Sequence, residues 1–447
     1  MKTLQTGEKK SLGRVFQNTG WLVAQNIFQY VLSAVIGILA ARYIGPTNYG
    51  ILNYGATLMA LFFPFCTLGL NSVEVPAMVE EPEKTGAIVG TCFVLRLVSS
   101  CLSIALLTLV AVVMKPGNRL LIFVTFLQSL QFLFQSCDAI RLWFEKELLS
   151  KFTALGSVIG NTACSLWRII LLARGASVEW FALTSVVQML TNYLFVLPIF
   201  FAKSGVKLSF SLPLGWKLLK RGYHFILSGF TVAVTNYCGK LILAQQLGET
   251  ELGYYSAAST LALMWIFVPQ AIVSSANPVL LETKKNDPEH FEERYQMVHL
   301  VNLFLGVAAG LGMGILSKFL INFLYGEAYA PAAPLLVILA WTGLFTAIGE
   351  SRGIWLFAEQ KTKYVKYYCA VSAGASLVLN YLLIGFFGPA GACVAALVTG
   401  MIQALGAPLL FPGSRDFTFQ YFRSFKQLPR MKDFIITLMR ERRLGRG

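Results

Sequence analysis

The sequence predicts an all-α polytopic membrane protein of about twelve transmembrane helices, arranged as two six-helix bundles in a parallel pseudo-repeat. Three observations carry that expectation. The 447 residues are 56% hydrophobic and only 13% charged, whereas soluble domains carry about 25% charged residues. The apolar runs reach about 20 residues or more, the length of a helix that crosses a bilayer and far beyond a barrel strand. A short pattern also occurs twice: Ala41, Gly45, Thr47 and Gly50 recur at the same spacing as Ala244, Gly248, Thr250 and Gly253. Each copy sits where an apolar helix ends, turns through a glycine-bounded step and starts again.

The spans read, in order, roughly as 20–42, 50–70, 86–114, 120–140, 152–172, 178–201, 223–247, 253–281, 296–320, 333–358, 364–387 and 389–412. The longest internal loop, near 202–222, is basic and lies at the middle of the chain. It divides the sequence into an N-terminal bundle (1–202), a cytoplasmic linker (203–222), a C-terminal bundle (223–413) and a basic cytoplasmic tail (414–447). An even number of spans per half makes the halves parallel repeats about an axis along the membrane normal.

The net charge of +15 would suggest nucleic acid in a soluble chain; here it follows the membrane instead. Lys2, Lys9, Lys10, Arg14, the cluster Lys203, Lys207, Lys217, Lys220 and Arg221, and the basic tail fall on one face. The opposite face receives Arg42, Lys115, Arg119 and Arg174. Positive loops stay inside, so both termini are expected in the cytoplasm. The N-terminus has no cleavable signal pattern. Within the tail, Phe434, Ile435, Ile436, Leu438 and Met439 fit either an amphipathic helix on anionic lipid or a disordered basic tail. The eight cysteines lie in or beside apolar spans without metal-ligand spacing, so they read as buried thiols; no metal and no cofactor is expected.

Ionisable groups inside a bilayer are functional candidates by default. Lys318 and Arg168 lie near the outer ends of their spans, where long stems reach the head groups. Asp138 and Arg141 read as interfacial. Arg96, Lys240, Glu350 and Arg352 are deeper. Lys240 is about five residues past the centre of its span, roughly 8 Å along the helix, and shares a face with Asn236. Glu350 and Arg352, two apart, cannot pair on a regular helix. The flanking Gly349 and Gly353 leave room for a broken helix. Arg96 has Glu350 as a candidate partner, and a substrate role stands beside that pairing. Three deep cations against one deep anion suit an anionic head group, above all a diphosphate. No span carries the regularly spaced arginines of a voltage sensor.

LGETELGYYSAA, ARYIGPTNYG, KKNDPEHFEERY and LNYLLIGFFGPAGACVAALVTG, in that relative spacing, resemble the polysaccharide-type oligosaccharide flippases. These are Wzx-like members of the multidrug/oligosaccharidyl-lipid/polysaccharide exporter superfamily. The resemblance runs from about Phe16 to Phe411. It implies a V-shaped pair of bundles, alternating access, and undecaprenyl-diphosphate-linked oligosaccharide moved to the outer leaflet of a prokaryotic cytoplasmic membrane. It further implies no enzyme chemistry. Membrane lipids and the polysaccharide polymerase machinery are its implied partners; nucleic acid is not. Members often carry an acid–base pair just before the LG turn. Here the acid position is Gly239 and only Lys240 remains, which departs from any coupling through that carboxylate. Together with the depth of the charges, this leaves Lys240, Arg352, Arg96, Asn236, Glu350 and Arg168 as the candidate substrate-binding residues. A drug antiporter of the same superfamily prefers cations and would call for acidic cavity residues. A polymerase would call for a large outer loop or a carboxylate cluster at the outer face.

Overall fold

The computed structural model describes the backbone of residues 2–430 and the side chains of residues 34–362 and 364–429. Among these every regular element is helical, and eleven helical segments are long and apolar enough to cross a membrane. The first belongs to a run, Lys2–Thr67, that breaks at Gly45 (φ 78°, ψ 169°). We number its arms α1 (2–44) and α2 (46–67). The rest are α3 (Pro82–Met114), α4 (Arg119–Lys146), α5 (Ser150–Ala173), α6 (Thr184–Ser204), α7 (Leu212–Leu247), α8 (Glu249–Asn286), α9 (Pro288–Ile315), α10 (Ala332–Ala358), α11 (Val365–Phe387) and α12 (Pro389–Leu410). This is a multi-pass membrane protein. The tail positions 434–439 lie outside the described residues.

Gly45 and Gly248 (φ 95°, ψ 177°) share one backbone conformation, in a region that is essentially glycine-only. The repeat is therefore a repeated turn. The two turns also touch. Thr47 Oγ1 lies 2.8 Å from Thr250 Oγ1, 203 residues away. A Cβ on Gly50 would sit 1.7 Å from the carbonyl oxygen of Glu249, and one on Gly253 would sit 2.0 Å from that of Pro46. Each glycine thus admits the first residue of the other half's second arm, as a pseudo-two-fold axis requires. A carbonyl before each turn also accepts a side-chain donor. Tyr329 Oη donates to Ala41 O at 2.7 Å, and Lys115 Nζ donates to Ala244 O at 2.7 Å.

The cores follow from this joint. One apolar cluster crosses both halves beside it, with Ile51, Tyr54 and Leu107 against Leu252, Leu261 and Leu336. Farther along the helices the core divides. Val89, Trp143, Phe144 and Phe200 fill one half; Phe291, Ile348, Trp355 and Tyr368 fill the other. The halves share one core at the joint and have separate cores at the other end, where α7 keeps contact with α2 through Phe65 and Phe230.

The joint makes a prediction. Thr47→Cys with Thr250→Cys should form a disulfide under mild oxidation. Adding Gly253→Ala should reduce its yield severalfold, because the new methyl displaces the backbone that aligns the pair. Unchanged yield would mean that the joint is loose.

The middle of the chain differs from expectation. The loop expected over 203–222 is non-helical only across 205–211, and α7 starts at Leu212 rather than near 223. Hydropathy misplaced this start because the first turns of α7 are held by packing: Leu218 is buried in the N-terminal core, and Ser211 N–H donates to Thr91 Oγ1. Lys217 and Arg221 then reach Glu81 and Glu80 at 2.6 and 2.7 Å. Hydrogen bonds from Lys217 and Lys84 hold the Glu81 carboxyl down at about 2, from an ordinary 4.5. A depressed carboxyl contributes its stabilisation above its unfolded value and loses it as pH falls through the folded one. This tie therefore stays charged throughout the neutral range.

Candidate functional site

The deep charges divide into those with partners and those without. Arg96, on α3, is fully buried. Its Nη2 contacts Glu74 Oε2 at 2.8 Å and donates to Asn71 Oδ1 at 3.0 Å. The expected pairing with Glu350 is corrected. Glu74 heads a short helix, Glu74–Glu80, that follows a left-handed turn at Gly69 (φ 64°). The turn passes close to α7, since a Cβ on Gly69 would lie 2.3 Å from Gly222 O. The connection thus drops back into the N-terminal half and carries a carboxylate to Arg96. Sequence reasoning placed residue 74 in a loop. The overlooked signal was a lone acid between Val73 and Val75 in an apolar run.

Glu350, on α10, accepts a hydrogen bond from Gln270 Nε2 on α8 at 3.1 Å. Arg352 points elsewhere, as two residues apart on a helix demand. It is buried within the C-terminal half, where Nη1 donates to Gln403 O and the guanidinium lies 5.2 Å from the Tyr368 ring centre. Gln403 belongs to a π-helical turn of α12, Ile402–Gly406. Such a turn disturbs the ordinary backbone ladder, and the arginine satisfies one of its carbonyls. The break considered at Gly349 and Gly353 is absent: Thr342–Ala358 is one helix. Asp138 and Arg141 pair at 3.0 Å, and Tyr193 Oη also donates to Asp138.

Lys318 is exposed, and two further candidate cations also have no hydrogen bond or ion pair to a described side chain. Arg168, on α5, is half-buried, with Nη1 3.7 Å from where a Cβ of Gly37 would stand on α1. Lys240, on α7, is half-buried, and Asn236 one turn earlier is exposed. The fate of the missing acid is visible beside them. A Cβ on Gly239 would be 2.4 Å from Asn380 Oδ1 of α11. That seam carries its own polar contacts: Ser376 Oγ donates to Thr235 O at 3.1 Å, and Cys238 Sγ is 3.2 Å from Ser376 Oγ. Glycine at 239 lets α7 and α11 approach, and Asn380 fills the space that a larger side chain would need. Lys240 is thus left with its charge uncompensated among the described residues.

A family model described as "Polysaccharide biosynthesis protein" matches residues 8–334. The chain belongs to this polysaccharide biosynthesis family. A curated relative, the amylovoran biosynthesis protein AmsL of Erwinia amylovora, is 24% identical over 161 residues. That match covers 36% of this chain, and the chain spans 41% of the relative's length. Two solved structures share the fold of this family member. A multidrug resistance MATE family transporter of the MOP superfamily, in an inward-facing conformation, aligns with TM-score 0.64 at 12% identity, over 91% of this chain and 96% of that one. The lipid II flippase MurJ, in an inward closed conformation, aligns with TM-score 0.62 at 17% identity, over 94% and 92%.

Proposed function

We propose that this protein is a flippase for undecaprenyl-diphosphate-linked oligosaccharide in a prokaryotic cytoplasmic membrane. It moves the sugar and diphosphate by alternating access while the lipid chain stays in the bilayer. No bond is made or broken, so the protein is a transporter and not an enzyme. The moving bodies are the halves 1–202 and 223–413, both termini are cytoplasmic, and the product passes to polymerising machinery on the far side.

The observation that carries the reading is Lys240. Among the described residues it is an uncompensated cation at membrane depth beside the exposed amide of Asn236, and a diphosphate is the polyanion that such a pair recognises. Arg168, in the N-terminal half, is the other site candidate without a described partner. Arg96, Arg352 and Glu350 take supporting places, since their charges and hydrogen bonds are already engaged. Membership of the polysaccharide biosynthesis family and the fold shared with a lipid II flippase support the same reading. A drug antiporter, the reading that the MATE likeness favours, would need an acidic site. Gly239 stands where this chain lacks one.

The deciding experiment deletes the gene and measures lipid-linked oligosaccharide on the cytoplasmic side. Accumulation, reversed by the wild-type chain, is expected; unchanged glycan export would overturn the proposal. Topology has its own test in a cysteine-free background. Leu316→Cys, exposed at the joint end, should be labelled in intact cells, and Glu83→Cys only after permeabilisation. The reverse pattern would invert the orientation.

A further inference from the structure

A long groove runs along the seam between the halves, on the face of α7 opposite Asn236 and Lys240. Its volume is about 990 Å³, at the upper end of the roughly 300–1,000 Å³ usual for ligand sites. Phe62 and Phe65 of α2 and Leu102 and Leu106 of α3 form one wall; Leu241 of α7 and Leu377 of α11 belong to the other. Along α3 it extends from Ser99 to Met114, about 22 Å at 1.5 Å per residue. Polar groups are unevenly placed. Ser99 lies at the end away from the joint, but its hydroxyl already donates to Cys66 O at 2.6 Å. At the joint end Gln245, Gln246 and Tyr381 line the groove, and Gln245 is exposed with no partner among the described residues.

Lys115 follows directly after Met114 at that same end. Its ammonium is 3.1 Å from Glu249 Oε1 and donates to Ala244 O. An ammonium has three donors, so one remains for an incoming oxygen. The layout is that of an amphiphile site: an apolar trough long enough for the head-proximal part of a polyprenyl chain, with amide and ammonium donors at one end. Water does not fill such a trough at membrane depth, and a hydrocarbon chain does.

We infer that this groove docks the polyprenyl chain of the carrier lipid once its diphosphate has reached the joint end, where Gln245 and Lys115 receive it. The inference rests on the flippase reading and adds the place of the chain. One half supplies α2 and α3 and the other α7 and α11, so a chain seated here touches both moving bodies. An acyl chain of bulk phospholipid fits the same trough, but the Gln245 amide and the Lys115 ammonium at its polar end suit the greater charge of a diphosphate.

Photocrosslinking tests the inference. A benzophenone amino acid replaces Leu106 in the groove or, as control, Val112 on the same helix outside it; both positions are 44% exposed. The purified protein is placed in phosphatidylglycerol–phosphatidylethanolamine vesicles with undecaprenyl diphosphate as the probe. Position 106 should capture the probe about tenfold more than position 112, as a binding preference of that size implies. Gln245→Leu should lower the yield at 106. Equal capture at both positions, or only phospholipid adducts at 106, would overturn the inference. Because the readout is binding, it separates from the function. Selective capture with unchanged glycan export in the deletion strain would leave the groove assigned and remove the flippase reading. Accumulation of substrate in the deletion strain without selective capture would do the opposite.

Discussion

Lys240→Glu is expected to abolish glycan export at wild-type membrane levels, with Lys240→Ala nearly as severe and Lys240→Arg partly active. The three outcomes follow from charge and shape. Lys240 has no described acid or carbonyl to lose, so its removal leaves no buried group stranded and the chain should insert normally. A charged contact of this kind is worth about 1.5–3 kcal/mol, or roughly ten- to a hundredfold in affinity. Glutamate adds repulsion to that loss. Arginine keeps the charge but replaces a compact ammonium with a planar fork. Export is measured by complementation of the deletion strain, with protein quantified in the membrane. Wild-type export by Lys240→Glu would remove Lys240 from the site.

The second large effect lies in the N-terminal half and is one of stability. Glu74→Gln or Arg96→Leu alone should cost about 3–5 kcal/mol, because each leaves the other charge buried without its partner. Glu74→Leu combined with Arg96→Leu should be milder than either single charge-stranding change, since it removes both desolvated charges together. The readouts are thermal unfolding of the purified protein and the folded yield from membranes. The comparison also tests the pairing. If Arg96 served the substrate and met Glu74 only incidentally, Glu74→Gln would leave folding intact. By contrast, Glu350→Gln should cost little in folded yield, since Gln270 can hydrogen-bond an amide as well as a carboxylate.

The helical membrane class and most span limits were legible in the sequence because they depend on local properties. A run of apolar residues must satisfy its own backbone in lipid, and only a helix does so within one segment. The repeated turn was equally legible: Gly45 and Gly248 hold a conformation that other residues resist, so spacing alone marked it. The start of α7 was not, because Leu212–Gly222 is amphipathic and is held by the N-terminal half rather than by lipid.

The functional residues divide along the same line. Sequence alone singled out Arg96, Lys240, Glu350 and Arg352 as deep charges, and showed that glycine precedes Lys240 where the family resemblance implies a carboxylate. Tertiary structure decided which charges remain available. Arg96 met Glu74 because a left-handed turn at Gly69 returns the loop into the bundle. Arg352 met Gln403 O because α12 carries a π-turn at that level, and Glu350 met Gln270 because α8 and α10 present those faces to each other. No local pattern encodes these meetings. A partner is chosen by how helices rotate and where loops re-enter, and a rotation of one residue, about 100° on a helix, replaces every partner on the face.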